Sequence, residues 1–295
     1  MQFIFNMIKG AIIGIANVIP GVSGGTMAVS LGIYEKLIHA LTTLRKEWKK
    51  NLIFLVAIVL GAAIGIVGFA KVIEILLNKQ PLPTALAFVG LVLGGLPLII
   101  KSLNQSLENE KSRFGVSHVI VFIAFCALVL VMALLDTGNG IGAEKEIGAV
   151  EMLLLFFVGM FAAAAMVIPG VSGSMLMMVL GYYDTIISTI NRFIEALIAF
   201  DISAMLACFK VLIPFGFGVL AGIFAIAKLI DFLFKRFASQ TFSAILGLVA
   251  ASPGAIILNI KNEYGLHVSA AGILVSAALF ALCFAVTCWF GRKAS

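Results

Sequence analysis

The sequence predicts an all-α polytopic membrane protein made of two inverted-topology repeats, each a re-entrant helical hairpin plus three transmembrane helices. Three observations predict it. Of 295 residues, 62% are hydrophobic and only 12% are charged, against roughly 25% charged in a typical soluble protein, so polar surface is too scarce for water to be the main solvent. The segment Val18-Ile-Pro-Gly-Val-Ser-Gly24 recurs letter for letter as Val167-Ile-Pro-Gly-Val-Ser-Gly173, at an offset of 149 residues, half the chain. Both copies interrupt an apolar run with Pro and Gly, the two residues that helix interiors tolerate least.

Each element follows from run length. Around the first break lie apolar runs at about residues 3–19 and 26–43, and around the second at 152–168 and 175–190. These are at or below the roughly 17–25 residues of a spanning helix, so they predict two hairpins, 3–43 and 152–190, whose tips end inside the membrane. Irregular backbone at that depth must be buried in protein or line a wet cavity. Longer runs at 52–77, 84–100 and 116–135, then at 211–227, 241–258 and 268–290, predict six full spans. The first repeat is then 1–135 and the second 150–295. The likeness extends to Leu31-Gly32 with Leu180-Gly181, Tyr34 with Tyr183, Glu35 with Asp184, and more weakly Gly90-Leu91-Val92 with Gly247-Leu248-Val249.

A hairpin adds no net crossing and three spans separate the two, so the repeats face opposite ways. Loop charges agree. Arg45, Lys46, Lys49, Lys50, Lys101, Lys111, Arg113, Lys228, Lys235, Arg236, Arg292 and Lys293 fall on one side, and Lys79, Lys145, Arg192, Lys210 and Lys261 on the other. That bias places the first set, with both termini, in the cytoplasm. It also accounts for the formal charge of +6 without nucleic acid as a partner. The N-terminus MQFIFNMIKG has no basic stretch ahead of its apolar run and no small-residue cleavage pattern, so its first hydrophobic segment is expected to stay in the mature protein. Cys126, Cys208, Cys283 and Cys288 form no Cys-x-x-Cys pair, which reads as packing rather than a disulfide framework or a metal site. His39, His118 and His267 have no partner at ligand spacing, so neither a metal nor any other cofactor is expected.

The tips carry the chemistry. Inverted repeats with broken helices in matching positions point to alternating access, with a substrate site near the midplane. The first tip supplies Pro20, Gly21, Ser23, Gly24, Gly25 and Thr26, the second Pro169, Gly170, Ser172, Gly173 and Ser174. Free N–H groups and the positive end of the dipole at a helix start favour an anion such as a phosphate. The simpler reading gives Ser and Thr a capping role and Gly a turn, and its duplication across both halves favours the anion site. Lys9 lies within the first hairpin helix, where an ionisable residue is a functional candidate; snorkelling to the headgroups is its alternative. Asn17 can donate to an oxyanion. Their counterparts at the 149-residue offset are Val158 and Met166, so the second half lacks both groups. Glu35 and Asp184 recur near the hairpin exits as candidates for proton or sodium coupling, or as solvated helix ends. Lys71 and Glu74, three apart on one helix, are expected to pair.

At NVIPGVSGGTMAVSLGIYEKL (Asn17 to Leu37) and IPGVSGSMLMMVLGYYDTI (Ile168 to Ile186), the sequence closely resembles the bacterial polyprenyl-phosphate transporter family. The resemblance extends over nearly the whole chain, including Phe88 to Pro97. It implies a flippase of the bacterial cytoplasmic membrane that returns undecaprenyl phosphate, the lipid carrier of cell-wall precursors, from the outer to the cytoplasmic leaflet. By that resemblance the head group falls to Pro20–Thr26 and Pro169–Ser174, the tail stays in lipid, and a homo-oligomer is left open. An acidic residue often precedes the first break in that family; Asn17 stands there in this chain. One alternative is a membrane enzyme like undecaprenyl-pyrophosphate phosphatase, whose Pro-Gly-x-Ser motif continues with Arg. Here Gly24 and Gly173 follow, and neither tip holds a carboxylate, so no catalytic residue is assigned. A small-anion transporter is the other alternative.

Overall fold

The computed structural model describes residues 2–17, 22–135, 148–265 and 270–294. Pro20 and Gly21 of the first tip, Lys145 and His267 lie outside the described residues. Among those described, every regular element is a helix: α1 (Gln2–Asn17), α2 (Gly24–Ser30), α3 (Tyr34–Thr42), α4 (Trp48–Lys79), α5 (Pro81–Leu93), α6 (Leu96–Asn109), α7 (Val116–Leu135), α8 (Ala149–Val167), α9 (Gly173–Val179), α10 (Tyr183–Ile198), α11 (Ile202–Arg236), α12 (Ala238–Tyr264) and α13 (Ala270–Ala294). Seven stretches are long and apolar enough to cross a bilayer. Six of them overlap the longer apolar runs of the sequence, with α5 and α6 together forming one. The seventh is α8, whose 19 residues reach the length of a span although a hairpin arm was expected there. The chain is a multi-pass membrane protein.

The second arm of each expected hairpin is not one helix. α2 stops after Ser30 and α3 restarts at Tyr34; α9 stops after Val179 and α10 restarts at Tyr183. The cause is the same in both places: Gly32 and Gly181 have φ of +66° and +76°, a left-handed conformation that glycine adopts without a Cβ penalty and that ends a helix. The Leu-Gly pairs that extend the sequence repeat are these stops.

The helices gather into two compact units. One holds α1 to α7, residues 168–171 and the chain from 227 onward; the other holds α8 to α10 and α11 up to Ile226. In the first unit α1 lies along α4, backbone against backbone: a Cβ on Gly61 or Gly65 would overlap the carbonyl oxygens of Met7 and Ala11, and one on Gly10 or Gly14 those of Ile58 and Ala62. In the second unit a Cβ on Gly218 or Gly222 would overlap the carbonyls of Phe156 and Met160, and one on Gly159 that of Phe215. Phe156, Gly159 and Met160 follow Met7, Gly10 and Ala11 at the motif's own offset. Apolar burial drives little helix association in lipid, so close contact through small residues does that work. The same packing solution recurs in both halves.

Also within the first unit, α5 packs on α13 and α12 on α7. A Cβ on Gly90 would overlap the Phe280 carbonyl and one on Gly247 that of Phe122, and the Cys126 thiol donates to the Gly247 carbonyl at 3.1 Å. The partners in each pair come from opposite sides of the expected repeat boundary. At one end the α6–α7 turn is pinned to α12. Glu110 accepts from the Ser239 amide at 3.0 Å and from its hydroxyl, capping α12 with a carboxylate. Buried His118 places Nε2 3.0 Å from the Ser239 hydroxyl while its Nδ1 accepts from the Gly115 amide at 3.2 Å. Lys71 and Glu74 pair on the exposed side of α4 at 3.1 Å.

Candidate functional site

The first break is built around α2. Ser23 is extended (φ −97°, ψ 137°) and caps the helix, its Oγ accepting from the Gly25 amide at 3.2 Å, so one of the orphan donors at this helix start is satisfied from within. Gly24 faces the end of α1: a Cβ there would lie 2.8 Å from the Asn17 carboxamide. Thr26 is 1% exposed, and its Oγ1 accepts from the Gly170 amide at 2.6 Å. Residues 144 apart in sequence, one from each duplicated motif, are thus joined by a hydrogen bond. Gly170 has φ +77°, and a Cβ would come within 3.0 Å of both the Leu248 carbonyl oxygen and Val129 Cγ2. Only glycine fits there on both counts.

Lys9 neither snorkels nor points outward. It is 3% exposed, its ammonium donates to the Leu31 carbonyl at 2.7 Å, and it lies 5.1 Å from the centroid of the Phe5 ring. Leu31 caps the C-terminus of α2, where a cation satisfies both the orphan carbonyl and the negative end of the dipole. Ser30 adds a second anchor by donating to the Val92 carbonyl at 3.2 Å. The short helix that begins at the tip is therefore held at its far end by a buried charge and a buried hydroxyl.

The second break lacks that charge. Pro169 is buried, the Ser172 and Ser174 hydroxyls lie 2.9 Å apart, and Leu176 donates to the Ser172 carbonyl at 3.2 Å. Gly173 repeats the Gly24 arrangement: a Cβ would overlap Met166, the counterpart of Asn17, and would sit 2.5 Å from the Ala162 carbonyl. Val158, the counterpart of Lys9, belongs to an apolar cluster with Leu155, Tyr182, Ile186 and Val211. Asp184 lies exposed in the first turn of α10.

Glu35 proves to be part of a cavity. About 210 Å³ of space lies between the C-terminal end of α2, the start of α3, α6, and the aromatic residues Phe234 and Phe242. Its lining includes Tyr34 and the polar side chains of Glu35, Lys101, Ser102 and Gln105. The last three were not singled out from sequence, because the span was expected to end near residue 100 and Lys101 counted only as a loop charge. The signal that finds them is the helical period of α6, which buries Ile99, Leu103, Ser106 and Leu107 and leaves Lys101 and Gln105 exposed, with Ser102 at the edge of the buried stripe.

Comparison with known proteins identifies the family. The family model described as undecaprenyl phosphate translocase-like matches residues 13–275. A polyprenyl-phosphate transporter of Staphylococcus aureus (strain NCTC 8325 / PS 47) is 30% identical over 97% of this chain and 95% of its own length. One of Vibrio cholerae serotype O1 (strain ATCC 39315 / El Tor Inaba N16961) is 26% identical over 84% of this chain and 76% of its own. No solved structure matches.

Proposed function

Since the chain belongs to the undecaprenyl phosphate translocase-like family, we propose that it is a transporter of polyprenyl phosphate, undecaprenyl phosphate in particular. It moves the lipid from the outer to the cytoplasmic leaflet of the bacterial cell membrane and performs no hydrolysis. The observation that carries this reading is the bond between Thr26 and the Gly170 amide. It supports a working connection between the two copies of the motif, through Thr26 beside one and Gly170 in the other. Each break offers its own donors: the amides and hydroxyls of Ser23 to Thr26 in one, those of Ser172 to Ser174 in the other. A phosphate head suits such starts, while an isoprenoid tail needs no site and stays in lipid. Lys9 acts on this reading through α2, setting the position of the tip from its far end, and the anion meets backbone N–H groups and not the ammonium.

The repeated Gly contacts of α1 with α4 and of α8 with α11 support an inverted repeat, in which exchange of conformation between halves opens the path to either side. The experiment is reconstitution into liposomes with labelled undecaprenyl phosphate in one leaflet. Movement is expected at a rate far above protein-free vesicles, with no phosphate released from undecaprenyl pyrophosphate when divalent metal is present. Release of phosphate would move the assignment to a phosphatase. Movement of inorganic phosphate in preference to the lipid would move it to a small-anion transporter.

A further inference from the structure

The cavity under the far end of α2 is unassigned by anything above, and its lining is chemically divided. Lys101, Ser102 and Gln105 present a cation, a hydroxyl and an amide from successive turns of α6, with exposed Glu35 facing the same space. Phe234 and Phe242, with ring centroids 5.3 Å apart, add an apolar wall. Its floor is made by buried side chains, Ile99 among them, and its mouth is open where Glu35, Lys101 and Gln105 reach the surface. A group of donors beside an aromatic wall fits an amphiphile whose anionic head is joined directly to a hydrocarbon, and not a free ion, for which half the lining would be wasted.

We propose that this cavity is a second seat for a lipid phosphate monoester. Lys101 is its cation, Ser102 its donor, Gln105 stands at its mouth, and the Phe234–Phe242 wall takes the first apolar segment of the tail. The proposal rests on the transport reading above and names where the head goes after it leaves the tip, on the side where Lys101 and its neighbouring loops carry the positive charges. Glu35 gives the seat its character. A carboxylate in the same cavity opposes a phosphate through a partly desolvated medium, where charges are felt more strongly than in water. The head is consequently held by Lys101 but not trapped, which is what a station for release requires. α2 links the two places, since Val29 and Gly32 line the cavity while Ser23 and Thr26 form the tip at the other end of the same seven-residue helix.

The test uses the full chain carrying Gln105→Cys in lipid nanodiscs. The rate at which a water-soluble maleimide modifies residue 105 is read by mass spectrometry, which separates it from the four native cysteines, and transport is measured on the same preparation. A polyprenyl monophosphate is expected to slow modification by about tenfold, the effect of one charged contact, and the equal-length polyprenol and inorganic phosphate are expected not to. Added to that background, Lys101→Gln should abolish protection, Lys101→Arg retain it, and Glu35→Gln strengthen it. Protection by polyprenol alone, protection by inorganic phosphate alone, or weaker protection with Glu35→Gln would each overturn the seat. So would unchanged modification in a protein that still transports. Absence of transport by the unsubstituted chain would instead strike the reading on which the proposal rests.

Discussion

Replacing Thr26 by Val removes the acceptor of the bond that joins the two duplicated motifs while keeping the side chain's shape. Thr26 is 1% exposed and its hydroxyl lies 2.6 Å from the Gly170 amide, so no water replaces it without reopening the packing around it. Leaving that amide without its partner costs about 1–3 kcal/mol, equivalent to a shift of about 5–150-fold toward conformations in which the tips have parted. Thr26→Ser keeps the acceptor and loses one methyl, about 0.8 kcal/mol of burial. Amide hydrogen exchange resolved to peptides containing Gly170 separates these effects. The Val variant is expected to exchange faster there by a factor in that range, with little change in α4 or α13, and to lose transport. The Ser variant is expected to stay close to the parent in both. Equal exchange and equal transport in the two variants would show that the bond does not hold Gly170 to Thr26, and the main support for the two motif copies acting together would be gone.

The two Gly positions at the helix starts should differ in how they can be rescued. Gly24→Ala presses on the flexible Asn17 carboxamide, so Asn17→Ala in the same protein should restore its transport. Gly173→Ala meets the Ala162 backbone carbonyl as well as Met166, so Met166→Ala should not restore it. Gly61→Ala and Gly218→Ala should each lower the melting temperature in detergent, since overpacking a close contact costs about 1–3 kcal/mol. Gly68→Ala and Gly216→Ala on the same helices, where an added Cβ meets nothing within 4 Å, should not lower it. Although burial pushes the Glu110 carboxyl up, the bonds from the Ser239 hydroxyl and the amides of Ser239 and Ala238, with His118 nearby, hold it below its ordinary value. A depressed folded value means that the stabilisation is fully present above the unfolded carboxyl's value of about 4.3 and is lost as pH falls through the folded one. The melting-temperature gap between the parent and Glu110→Gln should be constant from neutral pH down to about 5 and close in more acid solution; a gap independent of pH throughout would refute the assignment.

Much of this was legible in the sequence because the bilayer imposes it. Run lengths pointed to long apolar helices, and Pro with Gly to the helix ends at Asn17 and Val167, since a helix interior accepts neither cheaply. What the runs concealed was the stop at Gly32 and Gly181: apolar residues continue on both sides of these glycines, and only φ tells that the helix ends there. The Ser23 cap was legible as one of two readings. The role of Lys9 was not, because its partner is a backbone carbonyl 22 residues away, and no residue type announces a carbonyl. The pairing of α5 with α13 and α12 with α7 was hidden for a related reason. A glycine that lets one backbone approach another gives no sign in sequence of which backbone it will meet.

The comparison between halves separates what the backbone demands from what the side chains add. Gly24 and Gly173 lie against residues 17 and 166, Gly10 and Gly159 against α4 and α11, and Gly61 and Gly218 against residues 7 and 156. At each of these places the packing contact is duplicated whatever side chain stands opposite. The polar groups are not: Lys9 faces the Leu31 carbonyl in one half, and Val158 fills an apolar cluster in the other. A charge-assisted hydrogen bond contributes about 1.5–3 kcal/mol and is directional, whereas apolar contact tolerates sliding and rotation. Lys9 therefore fixes α2 in orientation, where Val158 at the equivalent place in the other half offers apolar contact. If two such halves exchange conformations, their two end states are unequal in energy by the difference between these anchors, so Lys9→Met should shift the resting balance between inward and outward access and leave each tip's glycine geometry as it is.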